Sequence, residues 1–510
     1  MAHLDSHAVE ITKEQFTVPG KAKMLALGTL IIGAVLTIIG VFTLPADSHD
    51  KHASNGGVVK VATVANPQDT GAKADAAHTA TVPGHGTDSA APHAAAAAGH
   101  GHDAGHGHGD AHAADPNLIV DNAGHVTLLP KPTHKDPAHA KPAMTRFWAN
   151  LLVNGYFFLV ISIAALFFVA VNYIANAGWS AAIKRVPEAM YTFIPVGLVA
   201  VLAVIIFARY DIYHWAHYEH LNPAKGSADY DKILAGKSGF LNSNFLIVGT
   251  ILFVSIYYLF GLKLRSLSAQ EDNTQKGDTS FFRKMTRFSA AFTVIYGFSI
   301  SVLAWLLIMS IDAHWYSTIF GVYNFATAWV TSLTLICCFV LFLRSAGYLK
   351  IVSDEHIHDL GKFMFAFSIF WTYIWLSQLL LIWYAQIPEE VAYYYDRFND
   401  PQFKIQFFAN LVMNFIAPFL ILMTRNNKRN PITLGIVAVI LLIGHWNDVY
   451  LMVMPGSIGS AAQIGVLEVG MFLFFLGLFV YWVLQALTKR SLIAVNHPYI
   501  EESAYHDVGP

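Results

Sequence analysis

Charge is absent from ten long stretches of this chain, and that absence constrains the fold more than any motif does. The runs are Met24–Leu44, Trp148–Ala175, Ala189–Ala208, Phe245–Leu262, Phe288–Ile311, Thr318–Leu343, Phe363–Ala385, Ile405–Thr424, Ile432–Met454 and Ala461–Leu487. A helix rises about 1.5 Å per residue, so each run can cross a hydrocarbon core of about 30 Å, the shorter ones with flanking help. Strict strand alternation is missing, which excludes an outer-membrane barrel. Charged residues make up 13% of the chain, against roughly 25% in soluble domains. The expectation is an all-α integral membrane protein with ten transmembrane helices.

The first run is too long for the core of a signal peptide, and Leu44-Pro45-Ala46-Asp47 is a poor cleavage site, so it reads as a retained anchor. Orientation follows from the basic residues. Of the 32 Lys and Arg, 19 fall on the side of the N-terminus; outside the segment 45–147 only six fall on the other. Short loops rich in Lys and Arg stay in the cytoplasm, so both termini are expected there. Residues 45–147 form a low-complexity insert rich in Ala, Gly and His, for example Gly99-His100-Gly101-His102. Such a segment cannot bury a core and reads as a solvated spacer outside the membrane; its histidines could bind Zn²⁺ or Cu²⁺ weakly. The expected division is 1–44 (N-terminal segment and first helix), 45–147 (insert), 148–315 and 316–456 (two four-helix bundles), and 457–510 (tenth helix and tail). A short likeness between Asp312-Ala313-His314-Trp315 and His445-Trp446-Asn447-Asp448 hints at a four-helix repeat.

The net charge of -2 speaks against a nucleic-acid partner. Cys337 and Cys338 are adjacent in an apolar run and read as helix packing. There is no C-x-x-C-H haem attachment site and no iron–sulfur spacing. A membrane haem b usually needs two deep histidines on facing helices. Of 24 histidines only His445 lies well inside a span, so the chain is expected to hold no redox centre.

Ionisable residues within apolar spans are the candidates for function, because charge in hydrocarbon is costly and usually retained for a reason. His445 and Asp448, at i and i+3, share a helix face and can hydrogen-bond. Glu468 is placed about two turns into the tenth helix. Asp312, His314, Asp211, His214 and His217 lie at nearby helix ends. Gln378, Asn324, Asn410 and Asn414 extend the polar set. Carboxylate and imidazole groups can exchange protons near neutral pH, which suits a proton relay or a pocket that deprotonates a quinol. No catalytic residue and no metal ligand set is assigned. The bland alternative is that these residues stitch helices together.

Two long motifs carry a family resemblance. The segments Ser310-Ile311-Asp312-Ala313-His314-Trp315-Tyr316-Ser317-Thr318-Ile319-Phe320-Gly321 and Leu376-Ser377-Gln378-Leu379-Leu380-Leu381-Ile382-Trp383-Tyr384-Ala385-Gln386-Ile387-Pro388-Glu389-Glu390 resemble the ActF subunit family of bacterial alternative complex III. Ala177-Gly178-Trp179-Ser180, Gly236-Lys237-Ser238-Gly239-Phe240-Leu241-Asn242, Leu451-Met452-Val453-Met454-Pro455-Gly456 and the His-rich insert agree, over most of residues 20–490. The resemblance implies the NrfD-like (polysulfide reductase membrane subunit) superfamily, two four-helix bundles with one flanking helix at each end. It implies a subunit of a quinol:cytochrome c, or equivalent acceptor, oxidoreductase in a bacterial inner membrane. Partners would be an ActC-like paralogue, an iron–sulfur subunit, multihaem cytochrome c subunits, other membrane subunits and lipids, with a terminal oxidase as a further candidate. Haem and iron–sulfur clusters would sit on those partners, and quinone is the one ligand this chain could take. A secondary transporter and a purely structural scaffold are the competing classes.

Overall fold

The computed structural model describes residues 11–44, 143–221, 225, 230–459 and 462–507. The His-rich part of the insert lies outside them. Among the described residues ten helices are long and apolar enough to span a membrane: α1 Gly20–Phe42, α2 Met144–Ile174, α3 Arg185–Ile212, α4 Ser243–Glu271, α5 Ser280–Ile311, α6 Ile319–Ser345, α7 Asp354–Ala385, α8 Pro401–Ile421, α9 Pro431–Ser457 and α10 Val466–Leu487. The protein is an all-α multi-pass membrane protein. We call the end at which α1 begins the entry face and the other end the opposite face.

The ends differ from the hydropathy reading for physical reasons. At the entry face α4, α5 and α7 continue beyond their apolar runs as charged helix, which hydropathy cannot see. At the opposite face α2 already begins before Arg146, so residues 144–147 belong to the first bundle and not to the insert. The tenth helix starts later than its apolar run, because Ala462–Gly465 are not helical.

Helices α2–α5 close a four-membered ring by packing α2 on α3, α3 on α4, α4 on α5 and α5 on α2; α6–α9 do the same. The rings share a seam in which α2 and α5 meet α6, and α2 meets α9. α6 is the most enclosed span. The two flanking helices, distant in sequence, lie against each other: α1 packs along α10, which also touches α2. Glycine makes that approach possible. A Cβ on Gly33 would stand 2.1 Å from the Phe474 backbone nitrogen, and one on Gly470 would stand 2.6 Å from that of Thr37. Gly40 and Gly477 repeat the fit seven residues on, against Leu467 and Leu30. Without a hydrophobic drive between helices in lipid, such backbone contact is what holds them.

Buried ion pairs tie the entry face. Lys184 reaches Glu271 at 3.0 Å and the Tyr173 hydroxyl at 2.7 Å; Arg185 binds Glu188 at 2.8 Å and also pairs with Asp272. The tail after α10 crosses this face as a strap. Asn496 donates to the Asp272 and Thr274 carbonyls, and Ser503 donates to the Trp179 carbonyl and accepts from the Ala182 amide. Burial, with Lys184 and Arg185 nearby, holds His497 of the strap well below the ordinary imidazole range.

Gly33→Leu and Gly470→Leu should each loosen α1 from α10 and destabilise the detergent-solubilised protein by about 1–3 kcal/mol, the usual overpacking range. Gly28 faces open space, so Gly28→Leu should be near neutral. Equal unfolding temperatures for all three variants would contradict the glycine contact.

Candidate functional site

One ionisable side chain lies deep in the second bundle with its hydrogen-bond capacity met by neutral groups. Asp448 of α9 is fully buried. Its Oδ2 accepts from the Thr327 hydroxyl at 2.7 Å and the Trp371 indole N–H at 3.0 Å. Its Oδ1 accepts from Asn410 Nδ2 at 2.7 Å and from the Tyr323 hydroxyl. These partners come from α6, α7 and α8, so one carboxylate gathers every helix of its ring. Asp448 stands nine residues before the end of α9, about 13 Å inside at 1.5 Å per residue.

The local sequence explains how α8 reaches this point. Its α-helix gives way to a π-helical turn at Val412–Ile416, a feature that recurs at functional sites. The turn brings Asn414 against Gly444 of α9, where a Cβ would stand 2.2 Å from Asn414 Oδ1. Asn414 then donates to Asn410 Oδ1 at 2.7 Å. A polar chain therefore runs Asn414, Asn410, Asp448, Thr327. Thr331 and Thr334 continue the buried face of α6 towards the entry side, each donating to a carbonyl four residues back.

The chemistry of this cluster is specific. Indole and amide N–H groups can only donate, so Trp371 and Asn410 serve the carboxylate in either protonation state. The Tyr323 and Thr327 hydroxyls can donate to an ionised Asp448 or accept from a protonated one by turning the O–H bond. Proton exchange then requires rotation of two hydroxyls and no movement of helices.

The other candidates separate from Asp448. His445, which shares a helix face with Asp448 and could hydrogen-bond with it, does not; its ring packs edge-on to Trp371 at 5.5 Å, and both ring nitrogens are buried with no partner among the described residues. The four donors from other helices already surround the carboxylate. Glu468 is not two turns deep. It is the third residue of α10, and its Oε2 accepts from the N–H of the N-cap residue Gly465 at 2.8 Å. It pairs with Arg146 of α2 at 2.7 Å and 2.8 Å and accepts from Asn150 at 2.9 Å. Gln378 is buried beside Tyr394. Asn324 accepts from the Tyr156 hydroxyl at 3.0 Å across the seam between the rings.

At the opposite face Asp312 and His314 point to different partners. Asp312 lies against Gly456 and 3.4 Å from Arg397. Arg397 is buried, stacks on the Tyr393 ring at 3.4 Å, and donates its Nε–H to the Leu451 carbonyl at 3.0 Å. That carbonyl needs a donor because the residue four further on is Pro455, which has no N–H. His314 instead meets Asp231 at 2.5 Å. Burial pushes the Asp231 carboxyl up, but the bonds from His314, Leu234 and Ile233 outweigh it and leave the group below the ordinary carboxylate range. Burial pushes Lys237, which donates to the Ala313 carbonyl at 2.7 Å, below the ordinary ammonium range. Asp211 ends α3, and His214 and His217 are exposed on the short helix that follows. Neither end-group joins the deep cluster. The two short motifs do not occupy equivalent positions, since Asp312 follows α5 whereas Asp448 lies inside α9. Among the described residues no three His, Cys, Asp or Glu side chains converge as a metal site.

Sequence reasoning missed Arg397, Arg146, Asn150, Tyr323 and Thr327. The 146, 150, 154 spacing on α2 was a readable signal, since i, i+4 places those side chains on one face. Arg397 was hidden in a polar segment that reads as a loop and is in fact the helix Pro388–Asn399.

If Glu468 is held as half of an ion pair, Arg146→Met and Glu468→Met should each destabilise by about 3 kcal/mol, the lower end for a broken buried pair. Arg146 retains 22% side-chain exposure, which keeps the loss at that end. The double variant should recover most of it in a double-mutant cycle. Strictly additive single effects would count against the pair. No protein-family model matches the chain, and no curated protein matches it in sequence.

Proposed function

We propose that the chain is a cofactor-free integral subunit of a bacterial quinol:cytochrome c, or equivalent acceptor, oxidoreductase, and that Asp448 is its proton-exchanging group. The observation that carries this reading is a fully buried carboxyl group with no cationic partner among the described residues, held by two fixed donors and two reversible hydroxyls. A scaffold has no need of such a group, because uncompensated charge in hydrocarbon costs several kcal/mol. The two long motifs that resemble the ActF family supply the class of complex. In this reading haem and iron–sulfur centres belong to partner subunits, and the entry face is cytoplasmic, with both termini there.

Quinol oxidation releases two electrons and two protons, and the electrons must leave through redox centres. The role left to this chain is to take up or pass a proton near the site of oxidation. Tyr323, Tyr393, Tyr394 and Gln378 are buried on the side of Asp448 towards the opposite face, and in this reading they would line the proton's approach. A transporter of the inverted-repeat type would break matching helices in its two halves. Here α8 carries a π turn, whereas α4, its counterpart by order in the first ring, is a continuous helix.

Asp448→Asn keeps shape and most hydrogen bonds but removes the titrating proton. It should slow turnover of the assembled complex, or abolish proton release coupled to it, by roughly 10²–10⁴-fold, less if a water path runs in parallel. Assembly should persist. An assembled variant with unchanged turnover and proton yield would leave the scaffold reading. Reporter fusions at residues 270 and 427 should give cytoplasmic signals; the reverse would overturn the orientation.

A further inference from the structure

At the entry face an open cavity of about 380 Å³ lies along the end of α4, lined by Leu262, Arg265, Ser266 and Gln270 among others, with Arg490, just after α10, at its edge. That volume is within the usual range for small-ligand sites, about 300–1,000 Å³. Two arginines line it together. Arg490 donates to the Arg265 carbonyl at 2.5 Å, and Arg265 donates to the Ala486 carbonyl at 3.3 Å. Among the described residues neither guanidinium has a carboxylate within 4.0 Å. The acidic group acting on Arg490, Glu188, is already bonded to Arg185 and Ser268. Two like charges held together by backbone contacts, with donors to spare, call for an anion.

Depth selects the anion. The apolar run of α4 ends at Leu262 and α10 ends at Leu487, so each arginine lies three residues beyond the hydrocarbon level. That is the headgroup layer, which adds about 5–7 Å on each side of the core. Leu262 is 44% exposed, and it borders the cavity on its membrane side. The ligand must therefore be anionic at one end and apolar at the other.

We propose that this cavity binds an anionic glycerophospholipid, whose phosphate is held by Arg265 and Arg490 and whose acyl chain descends past Leu262. Guanidinium groups suit phosphate because their planar forks bind two oxygens at once. The lipid would bridge α4 of the first ring to the end of α10, joining the core to the α1/α10 pair. This inference is independent of the proton-exchange reading.

The test uses the full-length chain, purified in detergent and delipidated. Dioleoylphosphatidylglycerol, dioleoylphosphatidylcholine and inorganic phosphate are added separately; bound lipid is read by native mass spectrometry and stabilisation by thermal unfolding. Phosphatidylglycerol should bind and raise the unfolding temperature, whereas phosphatidylcholine and inorganic phosphate should not. Arg265→Gln/Arg490→Gln should weaken phosphatidylglycerol binding by about five-fold per arginine removed. The control Lys284→Gln/Arg287→Gln makes the same charge change at exposed positions on this face and should bind as the unaltered protein does. Equal binding of both lipids, equal loss in both double variants, or full protection by inorganic phosphate would each overturn the proposal. Should the arginine double variant fail to fold, the comparison of ligands on the unaltered protein decides alone.

Discussion

A carboxyl group cannot rest in hydrocarbon without partners, and the second bundle is arranged around meeting that demand at Asp448. Each hydrogen bond to a charged acceptor contributes about 1.5–3 kcal/mol, so four donors offset a desolvation cost of several kcal/mol. The donors come from α6, α7 and α8, which fixes how those helices turn their faces. The π turn in α8 and Gly444 in α9 follow from the same need, since they bring Asn410 and Asn414 close enough to serve. The cluster therefore ties fold and chemistry together at a single atom pair.

Several other buried charges behave differently. Lys184 with Glu271, Arg185 with Glu188 and Asp272, and Arg146 with Glu468 are paired with an opposite charge close to one face or the other. Arg397 completes a carbonyl freed by Pro455 and leans on Asp312. These groups hold helix ends in register. Asp448 alone among these carboxylates relies on neutral donors, and for that reason a change in its protonation state does not strand a partner charge.

Much of the architecture was legible in the sequence, because hydrocarbon leaves few options for the backbone. All ten spans are where the apolar runs lie. The alternative that α1 and α10 stand apart at the two ends of the fold was not excluded by hydropathy; their contact depends on Gly33, Gly40, Gly470 and Gly477, whose meaning appears only once the helices face each other. Asp448, Asn410 and Gln378 were readable as polar residues in apolar runs. The separation of Glu468 from Asp448 was not. It turns on where α10 begins, and apolar Ala462 and Ile464 look helical to any hydropathy count. Nor could the sequence show that His445 turns away, since i, i+3 spacing permits a bond without requiring one.

The most direct test of the central claim is to observe the Asp448 proton itself. Infrared difference spectra of the assembled complex, recorded between resting and quinol-driven states, should contain a carboxylic-acid carbonyl band that changes on turnover and vanishes in Asp448→Asn. Asp448→Glu, which retains a carboxyl group, should shift the band and not erase it. A spectrum identical in the unaltered complex and Asp448→Asn would show that this carboxyl group does not change protonation, and would contradict the account.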